Sequence, residues 1–355
     1  MTRVQTIQSL DHEQVLYCHD QTTGLKAFIA LHDTTPGRAM GATRLWPYQN
    51  EAEALTDVLR LSRGMTDKAA CANIPVGGAK GVIIAHPEAK TAALLQAYAR
   101  VVESLGGRFI TGQDVNLGPA DVRTMHQVTN HVVGVQEKGG GPAIATAQGV
   151  LLGIKAAVAF RWPQRSLSDL KVAIQGLGNV GQTLCDYLCL HGAQLFVSDL
   201  DAQKTALAQQ CYRATVVPPD QIYGLAVDVF SPCALGGVIN PATLRQIQAP
   251  IIAGCANNQL ADERRDTNLL KQQGMLYCPD FVINAGGLIN VYHELIGYQA
   301  ARAKGHIHGI YSTLIDIFNC ARDDDISTVE AARQVANLRQ LENQPCMHGL
   351  ALDSP

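Results

Sequence analysis

The chain has 355 residues, a length at which a single hydrophobic core usually gives way to two domains. Apolar residues make up 47% of it and charged residues 17%, as expected of a folded protein with a large core. The net charge is −3 without a basic stripe, and there is neither a run of 18 apolar residues nor a signal-peptide core, so neither nucleic acid nor membrane is an expected partner. Ten cysteines occur without a CxxC pair, which predicts reduced thiols and a cytoplasmic location.

The first part of the chain combines strand and helix patterns. Two strand-like runs flank the turn signal QTTG, which predicts a β-hairpin. A helix, a buried strand, a second helix and another strand follow, and this order indicates an α/β domain. These elements are predicted at 15–20, 25–33, 51–63, 80–85, 92–106 and 107–112.

A glycine run, Gly139-Gly140-Gly141-Pro142, predicts a hinge. A helix at 147–160 and six strand candidates follow it, separated by helical or loop segments, as a doubly wound parallel sheet requires. The strands are predicted at 171–175, 195–199, 214–217, 225–230, 250–253 and 275–277.

Two helices are predicted near the end of the chain. Helix spacing of apolar residues between 307 and 318 indicates a long amphipathic helix. The segment RDDDIST interrupts it, and a second helix is predicted after Thr328, the expected N-cap. The tail at 343–355 is expected to be loose.

The pattern GLGNVG (176–181) follows the strand candidate at 171–175 and opens a predicted helix. Its glycines would allow a tight turn, close approach of a pyrophosphate and close helix–strand packing, with the phosphates at the helix N-terminus. Asp199 ends the next strand, where a carboxylate can accept both adenine-ribose hydroxyls and would repel a 2′-phosphate. We therefore predict a Rossmann-type domain that binds NAD rather than NADP; the alternative is a glycine-rich turn followed by a surface Asp. The predicted cofactor residues are Gly176, Gly178, Asn179, Val180, Gly181 and Asp199.

Two lysines, Lys68 and Lys80, lie in a stretch at 62–84 that is largely small or apolar. A buried ammonium is costly unless it is paired or used, and burial or a neighbouring cation brings a lysine pKa towards the range that suits a base. We interpret the pair as one lysine that binds an anion and one that transfers a proton. A turn at Gly77-Gly78 would leave room for a ligand beside Lys80. The alternative is two ordinary surface lysines.

A carboxylate, Asp114, comes just after the strand candidate at 107–112. Loops at the carboxyl ends of strands commonly carry the chemistry of α/β proteins. Near two lysines, Asp114 would be held ionised or would exchange a proton with a substrate. The alternative is an Asx residue that caps a turn.

Eight stretches, spread over almost the whole chain, resemble the glutamate/leucine/phenylalanine/valine dehydrogenase family in the family's order. Within the family, the resemblance is strongest to the branch that oxidises tryptophan. The stretches are MGATR (40–44), GMTDKAA (64–70), GGAKGVI (77–83), GRFITGQDVN (107–116), GLGNVG (176–181), FSPCALGGVIN (230–240), IIAGCANNQLAD (251–262) and PDFVINAGGLINV (279–291).

The resemblance implies NAD-dependent oxidative deamination of an L-amino acid to a 2-oxo acid and ammonium. It implies an N-terminal α/β substrate-binding and oligomerisation domain at 1–138, completed by 325–355, and a Rossmann NAD-binding domain at 139–324. The active site would lie in the cleft between them. We expect a homodimer, because the family's N-terminal domain carries the subunit contact and the tail is short and polar.

The resemblance also implies individual roles. Lys68 would bind the substrate carboxylate, Lys80 would activate water and protonate the carbinolamine, and Asp114 would assist proton transfer at the amino group. Four further residues would bind: Gly41 at the carboxylate, Asn258 at the substrate amino group, Asn257 at the cofactor and Thr146 at the nicotinamide amide.

The residues implied to contact the substrate side chain are apolar, which disfavours glutamate because its buried carboxylate would lack a partner. Gly112 stands where leucine-type enzymes usually carry Ala, so the pocket would be deeper and suit an aromatic ring. We expect L-tryptophan, converted to indole-3-pyruvate, with a phenylalanine or branched-chain substrate as the alternative. A role in an indolic pigment pathway such as scytonemin synthesis is a further expectation. The four residues are Met40, Gly112, Leu288 and Val291.

Two other classes of protein are disfavoured. A metal hydrolase finds little support, because His306-x-His308 is the closest histidine pair and HExxH is absent. A dinucleotide-binding regulator without activity would not need Lys68, Lys80 and Asp114.

Overall fold

The computed structural model describes residues 2–7, 11–136 and 138–342, and it divides the chain into two compact units. The first unit takes in Met1–Val135 and the chain from Ala336 onwards, and the second is Gln136–Val335. The boundary predicted at 325 lies before the last helix, whereas the structural division falls inside that helix. The tail predicted to be loose lies outside the described residues.

The first unit is built on one mixed sheet. Its strands are β1 (Arg3–Ile7), β2 (Gln14–Asp20), β3 (Leu25–Leu31), β4 (Ala39–Met40), β5 (Thr43–Trp46), β6 (Gly77–Ile84) and β7 (Phe109–Ile110). Its helices are α1 (Glu51–Cys71), α2 (Ala92–Ser104) and α3 (Pro119–His126). The strands lie in the order β1-β2-β3-β6-β4-β7, and β5 also pairs with β6. The antiparallel pairing of β2 with β3 confirms the hairpin, and β6 lies at the centre of the sheet.

Helix α1 is longer than the sequence pattern predicts. It begins at Glu51, after the N-cap Asn50 whose side chain accepts the amide of Glu53, and continues past residue 63 to Cys71. Buried residues recur along its whole length, so tertiary packing sustains the helix through Gly64. Lys68 therefore lies in the last turn of a helix rather than in a loop.

The two glycines that open β6 allow close packing of the backbone. A Cβ atom on Gly77 would lie 1.7 Å from the carbonyl oxygen of Asp33, and one on Gly78 would lie 2.2 Å from the amide nitrogen of Thr66 in α1. The expected turn with room for a ligand is therefore wrong. Gly77 and Gly78 belong to a strand, and the chain itself fills the space beside them.

The second unit contains a parallel sheet. Its strands are β8 (Lys171–Gln175), β9 (Gln194–Ser198), β10 (Thr215–Val216), β11 (Val229–Pro232), β12 (Ile251–Ile252) and β13 (Leu276–Tyr277). Its helices are α4 (Gly141–Arg161), α5 (Asn179–Leu190), α6 (Ala202–Tyr212), α7 (Pro241–Leu244), α8 (Glu263–Gln272), α9 (Asp280–Ile283), α10 (Gly286–Leu295), α11 (Ala300–Asp323) and the first part of α12 (Thr328–Glu342). The strand order is β10-β9-β8-β11-β12-β13, which is the order of a doubly wound dinucleotide-binding fold and confirms the fold prediction.

Two local predictions in this unit need correction. The strand predicted from 225 begins only at Val229, after a 3₁₀ turn at Ile222–Gly224. Just before the strand, the Asp228 carboxylate accepts the Lys171 amide and a guanidinium hydrogen of Arg165. The N-cap of α12 is Ser327 rather than Thr328. The Ser327 hydroxyl accepts the Glu330 amide, and the Glu330 carboxylate accepts the Ser327 amide in return.

Helix α4 is the most apolar long helix described. By length and composition alone, Lys138–Arg161 could cross a membrane. More than half of its most apolar stretch is buried by the rest of the chain, and α4 packs against α5, α10 and α11. A Cβ on Gly153 would lie 2.4 Å from the Ile283 side chain, so small residues let α9 approach. Packing within this unit accounts for the apolar composition.

Candidate active site

The first unit brings Lys80 and Asp114 together, although they are 34 residues apart in sequence. Lys80 lies on β6 opposite Ala30 of β3, and its Nζ donates to Asp114 Oδ2 over 2.5 Å. The Lys80 side chain is 7% exposed and that of Asp114 is 15% exposed. A short, largely desolvated bond between an ammonium and a carboxylate is a natural path for a proton.

The loop that carries Asp114 is attached to β5 along its length. The Thr43 amide donates to the Gly112 carbonyl over 3.0 Å, and the Leu45 amide donates to the Val115 carbonyl over 3.1 Å. Asn116 adopts a left-handed φ of 59° and its side-chain amide donates to the Leu45 carbonyl. These bonds hold the carboxylate in register with β6.

A second cation, Arg44, also lies beside Asp114. Its Nε is 3.5 Å from Asp114 Oδ2, while its Nη1 donates to Asp57 Oδ2 over 3.0 Å. Arg44 was not among the residues predicted from the sequence. The available signal was its position at the end of MGATR, where a charged residue enters a strand whose neighbours Thr43 and Leu45 are buried.

The charges around Asp114 set its protonation state. Burial would by itself raise the pKa of Asp114, yet the charges of Lys80 and Arg44 outweigh burial and lower that pKa to about 2. The carboxylate is therefore ionised at neutral pH.

This shift predicts a pH-dependent contribution of Asp114 to stability. The folded-state pKa lies below the ordinary value of 3.8, so the stabilisation is present above about pH 4 and is lost as the pH falls towards 2. We expect Asp114→Asn to lower the free energy of unfolding by on the order of 2 kcal/mol at pH 7, and the difference from the wild type to shrink below pH 4. Urea unfolding at pH 7, 4 and 3 measures this, with the exposed Asp220→Asn variant as control. A difference that is constant with pH would contradict the assignment.

The other residues predicted in the first unit occupy different positions. Lys68 is half-buried in the last turn of α1, a helix that packs on β6. Its neighbour Asp67 acts on Cys71, whose pKa is raised to about 12 by burial and, to a smaller extent, by that charge. Met40 is 1% exposed on β4 and pairs with Gly78.

At both Gly41 and Gly112, an added methyl group would come close to a backbone carbonyl oxygen of a neighbouring segment. A Cβ on Gly41 would lie 1.6 Å from the Ala79 carbonyl oxygen, which the chain cannot accommodate. A Cβ on Gly112 would lie 3.2 Å from the Val133 carbonyl oxygen and 3.4 Å from its Cγ2, which a small shift can relieve. Gly41 is thus required by strand packing, whereas Ala in place of Gly112 needs Val133 to yield by a few tenths of an ångström.

In the second unit, the GLGNVG turn connects β8 to α5 with the geometry that a pyrophosphate needs. Gly176 has a φ of 101°, which favours glycine, and a Cβ on Gly181 would lie 2.1 Å from the Gly176 carbonyl oxygen. A Cβ on Gly178 would meet nothing within 4 Å, so the approach to the backbone is open there. Asn179 and Val180 form the first turn of α5, which has no side-chain cap.

Asp199 lies at the end of β9, next to this turn. Its Oδ2 accepts the Leu177 amide over 2.6 Å, and its Oδ1 accepts the Asp201 amide over 2.9 Å. Burial raises the pKa of Asp199, but these backbone amides outweigh burial and lower it. The ionised carboxylate keeps further lone pairs for ribose hydroxyls, so the residues present fit NAD.

The remaining predicted residues lie on α4, on α10 and in the loop after β12. The Thr146 hydroxyl donates to the Pro142 carbonyl. Thr146 also lies beside Gly287, because a Cβ on Gly287 would be 2.8 Å from the Thr146 hydroxyl. Asn257 is exposed, and Asn258 has a left-handed φ of 51°. Leu288 and Val291 are half-buried, three residues apart on α10.

Asn284 was also not among the residues predicted from the sequence. Its amide nitrogen donates to Asn257 Oδ1 over 2.8 Å and to the Cys255 carbonyl over 3.1 Å, so it holds the loop after β12. Its buried Oδ1 accepts no hydrogen bond within the described residues. Asn284 could have been found from the sequence, because it lies in PDFVINAGGLINV (279–291), one of the stretches that resemble the family.

A doubly wound dinucleotide-binding unit and a largely buried lysine–carboxylate pair on a separate sheet are the parts that a nucleotide-dependent dehydrogenase requires. The family profile described as Glu/Leu/Phe/Val dehydrogenase, dimerisation domain, matches residues 12–133. The profile described as Glutamate/Leucine/Phenylalanine/Valine dehydrogenase matches residues 197–306. The chain belongs to this family of amino acid dehydrogenases, whose tryptophan and leucine members are NAD-dependent.

Three similar proteins extend over nearly the whole chain. L-tryptophan dehydrogenase of Nostoc punctiforme is 58% identical over 339 residues, covering 96% of each chain. Leucine dehydrogenase of Geobacillus stearothermophilus is 45% identical over 337 residues, covering 94% of this chain and 92% of the relative. The crystal structure of L-tryptophan dehydrogenase from Nostoc punctiforme matches with a TM-score of 0.82 at 55% identity, covering 94% of this chain and 97% of that one.

Proposed function

We propose that this protein catalyses the reversible oxidative deamination of L-tryptophan with NAD. The amino acid, NAD⁺ and water give indole-3-pyruvate, ammonium, NADH and a proton. The observation that carries the proposal is the 2.5 Å bond between Lys80 and Asp114 in a largely desolvated setting. The 58% identity to an L-tryptophan dehydrogenase supports the choice of substrate over leucine, for which the relative is 45% identical.

In this proposal the cofactor and the residues of each unit have distinct tasks. NAD, when bound, accepts the hydride from the substrate α-carbon. Lys80 takes a proton from the attacking water and returns one to the departing amine, and Asp114 exchanges the proton with Lys80 and the amino group. Lys68 binds the substrate carboxylate. In the second unit, Asp199 and the amides at the start of α5 hold NAD by its ribose and phosphates.

The product stoichiometry tests whether the reaction is a deamination. We expect L-tryptophan to yield indole-3-pyruvate, ammonium and NADH in equal amounts, and D-tryptophan to yield none. NADH is measured by absorbance, ammonium by an enzymatic assay and the oxo acid by mass spectrometry. Formation of NADH without ammonium would contradict a deamination.

Gly112 provides a test of the side-chain specificity. An added methyl group fits after a small shift against Val133, so we expect Gly112→Ala to fold and to narrow the pocket. The ratio of kcat/KM for tryptophan to that for leucine should fall about tenfold, in line with the 1–3 kcal/mol that a methylene is worth in a hydrophobic pocket. An unchanged ratio with an unchanged thermal midpoint would exclude Gly112 from the side-chain pocket.

We further propose that the protein is a homodimer. The description of the N-terminal family profile as a dimerisation domain supports self-association of the first unit. Light scattering should give twice the chain mass, and a monomer or a higher oligomer would contradict the proposal. The cytoplasmic location and the link to an indolic pigment pathway stay predictions.

A further inference from the structure

Arg44 lies between two carboxylates in the first unit. Its Nη1 donates to Asp57 Oδ2 over 3.0 Å, and the Tyr48 hydroxyl donates to the same oxygen over 2.5 Å. At the other end, Arg44 Nε lies 3.5 Å from Asp114 Oδ2, the atom that also accepts the bond from Lys80. The Arg44 side chain is 19% exposed, so its charge is poorly screened by water.

The bond to Asp114 opposes the proposed role of Lys80 as a base. A carboxylate 2.5 Å from an ammonium stabilises the protonated form, whereas the proposed function requires Lys80 to release its proton. If Lys80 became neutral with no other cation near, a largely buried carboxylate would lose its charge partner.

We propose that Arg44 is a positioning residue that holds Asp114 and shares its charge, so that Lys80 can release a proton to the reaction. This role rests on the proposed function. A fixed cation beside Asp114 Oδ2 reduces the stabilisation that the carboxylate gives to protonated Lys80. The same cation balances the negative charge of Asp114 when Lys80 is neutral. Arginine suits the task because it stays charged throughout the pH range of the enzyme.

The hydrogen-bond state of Arg44 agrees with this role. Its Nε is buried and has no hydrogen-bond partner within the described residues, although Asp114 Oδ2 lies only just beyond bonding distance. A small movement of the carboxylate away from Lys80 would close that gap. Asp57 and Tyr48 hold the far end of the guanidinium, so the carboxylate rather than Arg44 has to move.

The charged groups that act on this cluster come from three sides. Lys80 on β6 and Arg44 on β5 act on Asp114. Arg44 in turn interacts with three groups, which are Asp114, Asp57 on α1 and Tyr48 after β5, and each of them stabilises its charge. The pH dependence of this cluster is therefore a property of all these groups together. Replacing Arg44, whose charge is permanent, shows how much one of them contributes.

The first measurement is the pH profile of kcat/KM for tryptophan. In Arg44→Met, the acid limb should move to higher pH by about one unit or more, because Lys80 holds its proton more tightly without the nearby cation. At a pH on that limb, the activity falls about tenfold for each unit of the shift. Arg44→Lys keeps a charge and should restore most of the position of the limb.

The second measurement does not depend on turnover, so it separates failure of this inference from failure of the proposed function. Of the two forms of a lysine, acetic anhydride acetylates only the neutral amine, and mass spectrometry after a short pulse measures acetylation at Lys80 itself. In Arg44→Met, Lys80 should be acetylated about tenfold more slowly than in the wild type at the same pH. The half-exposed Lys26 is the internal standard, and its rate should not change.

The matched control is Arg108→Met, which removes a guanidinium from an exposed pair with Glu13 in the same unit. It should leave both the pH profile and the acetylation of Lys80 unchanged. An acid limb and an acetylation rate that are the same in Arg44→Met as in the wild type would overturn the inference. A uniform loss of kcat at every pH, not restored by Arg44→Lys, would also overturn it and assign Arg44 a purely structural role.

Discussion

Replacing Lys80 with alanine is expected to lower kcat for tryptophan oxidation by about 10³-fold or more while the protein stays folded. General acid–base groups contribute about 10²–10⁴-fold, and the proposed mechanism uses Lys80 twice, first to activate water and then to protonate the amine. Binding of NAD by the second unit should be unchanged, because its residues lie on another sheet. Steady-state NADH formation and NAD titration by fluorescence measure the two quantities.

The control for this experiment is Lys26→Ala. Lys26 also forms an ion pair with a carboxylate, Glu51, but both side chains are 49% exposed, so the pair contributes little. We expect nearly normal turnover from this variant. If Lys80→Ala kept more than a tenth of the wild-type kcat, Lys80 would not be the base.

The second large effect is expected at Gly41, on stability. A Cβ at this position would lie 1.6 Å from the Ala79 carbonyl oxygen, and neither backbone can yield without breaking the pairing of β4 and β6. We expect Gly41→Ala to lower the free energy of unfolding by about 3 kcal/mol or more, at the upper end of what overpacking costs. Urea unfolding of the soluble fraction measures it.

Gly64→Ala is the matched control in the same unit. Gly64 lies inside α1 and an added Cβ would meet nothing within 4 Å. Alanine should therefore be neutral or stabilise the helix by about 0.5–1 kcal/mol. Equal effects of the two substitutions would contradict the packing that the structure assigns to Gly41.

The sequence was sufficient where the signal is local. The GLGNVG turn, the strand before it and Asp199 at the end of the next strand follow each other at short spacing, so their arrangement could be predicted. The strand β8 was predicted with the bounds that the structure has. The parallel sheet could be predicted from the alternation of strands and helices, whereas its strand order is seen only in the structure.

The parts that could not be predicted depend on contacts between distant segments. The role of Gly78 is set by the backbone of α1, and the length of α1 is set by its packing on β6. Arg44 and Asp114 are far apart in sequence and meet only because the loop after β7 is hydrogen-bonded to β5. No periodicity within either segment carries that information.

We propose that L-tryptophan is oxidised with NAD at this lysine–carboxylate pair. The decisive measurement is kcat/KM for L-tryptophan, L-phenylalanine and L-leucine, each with NAD and with NADP. We expect the highest value for tryptophan with NAD, a lower value for phenylalanine and a still lower one for leucine. With NADP every value should fall at least about tenfold, because Asp199 repels a 2′-phosphate. A kcat/KM that is much the highest for leucine would contradict tryptophan as the substrate, and equal values for the two cofactors would contradict the preference for NAD.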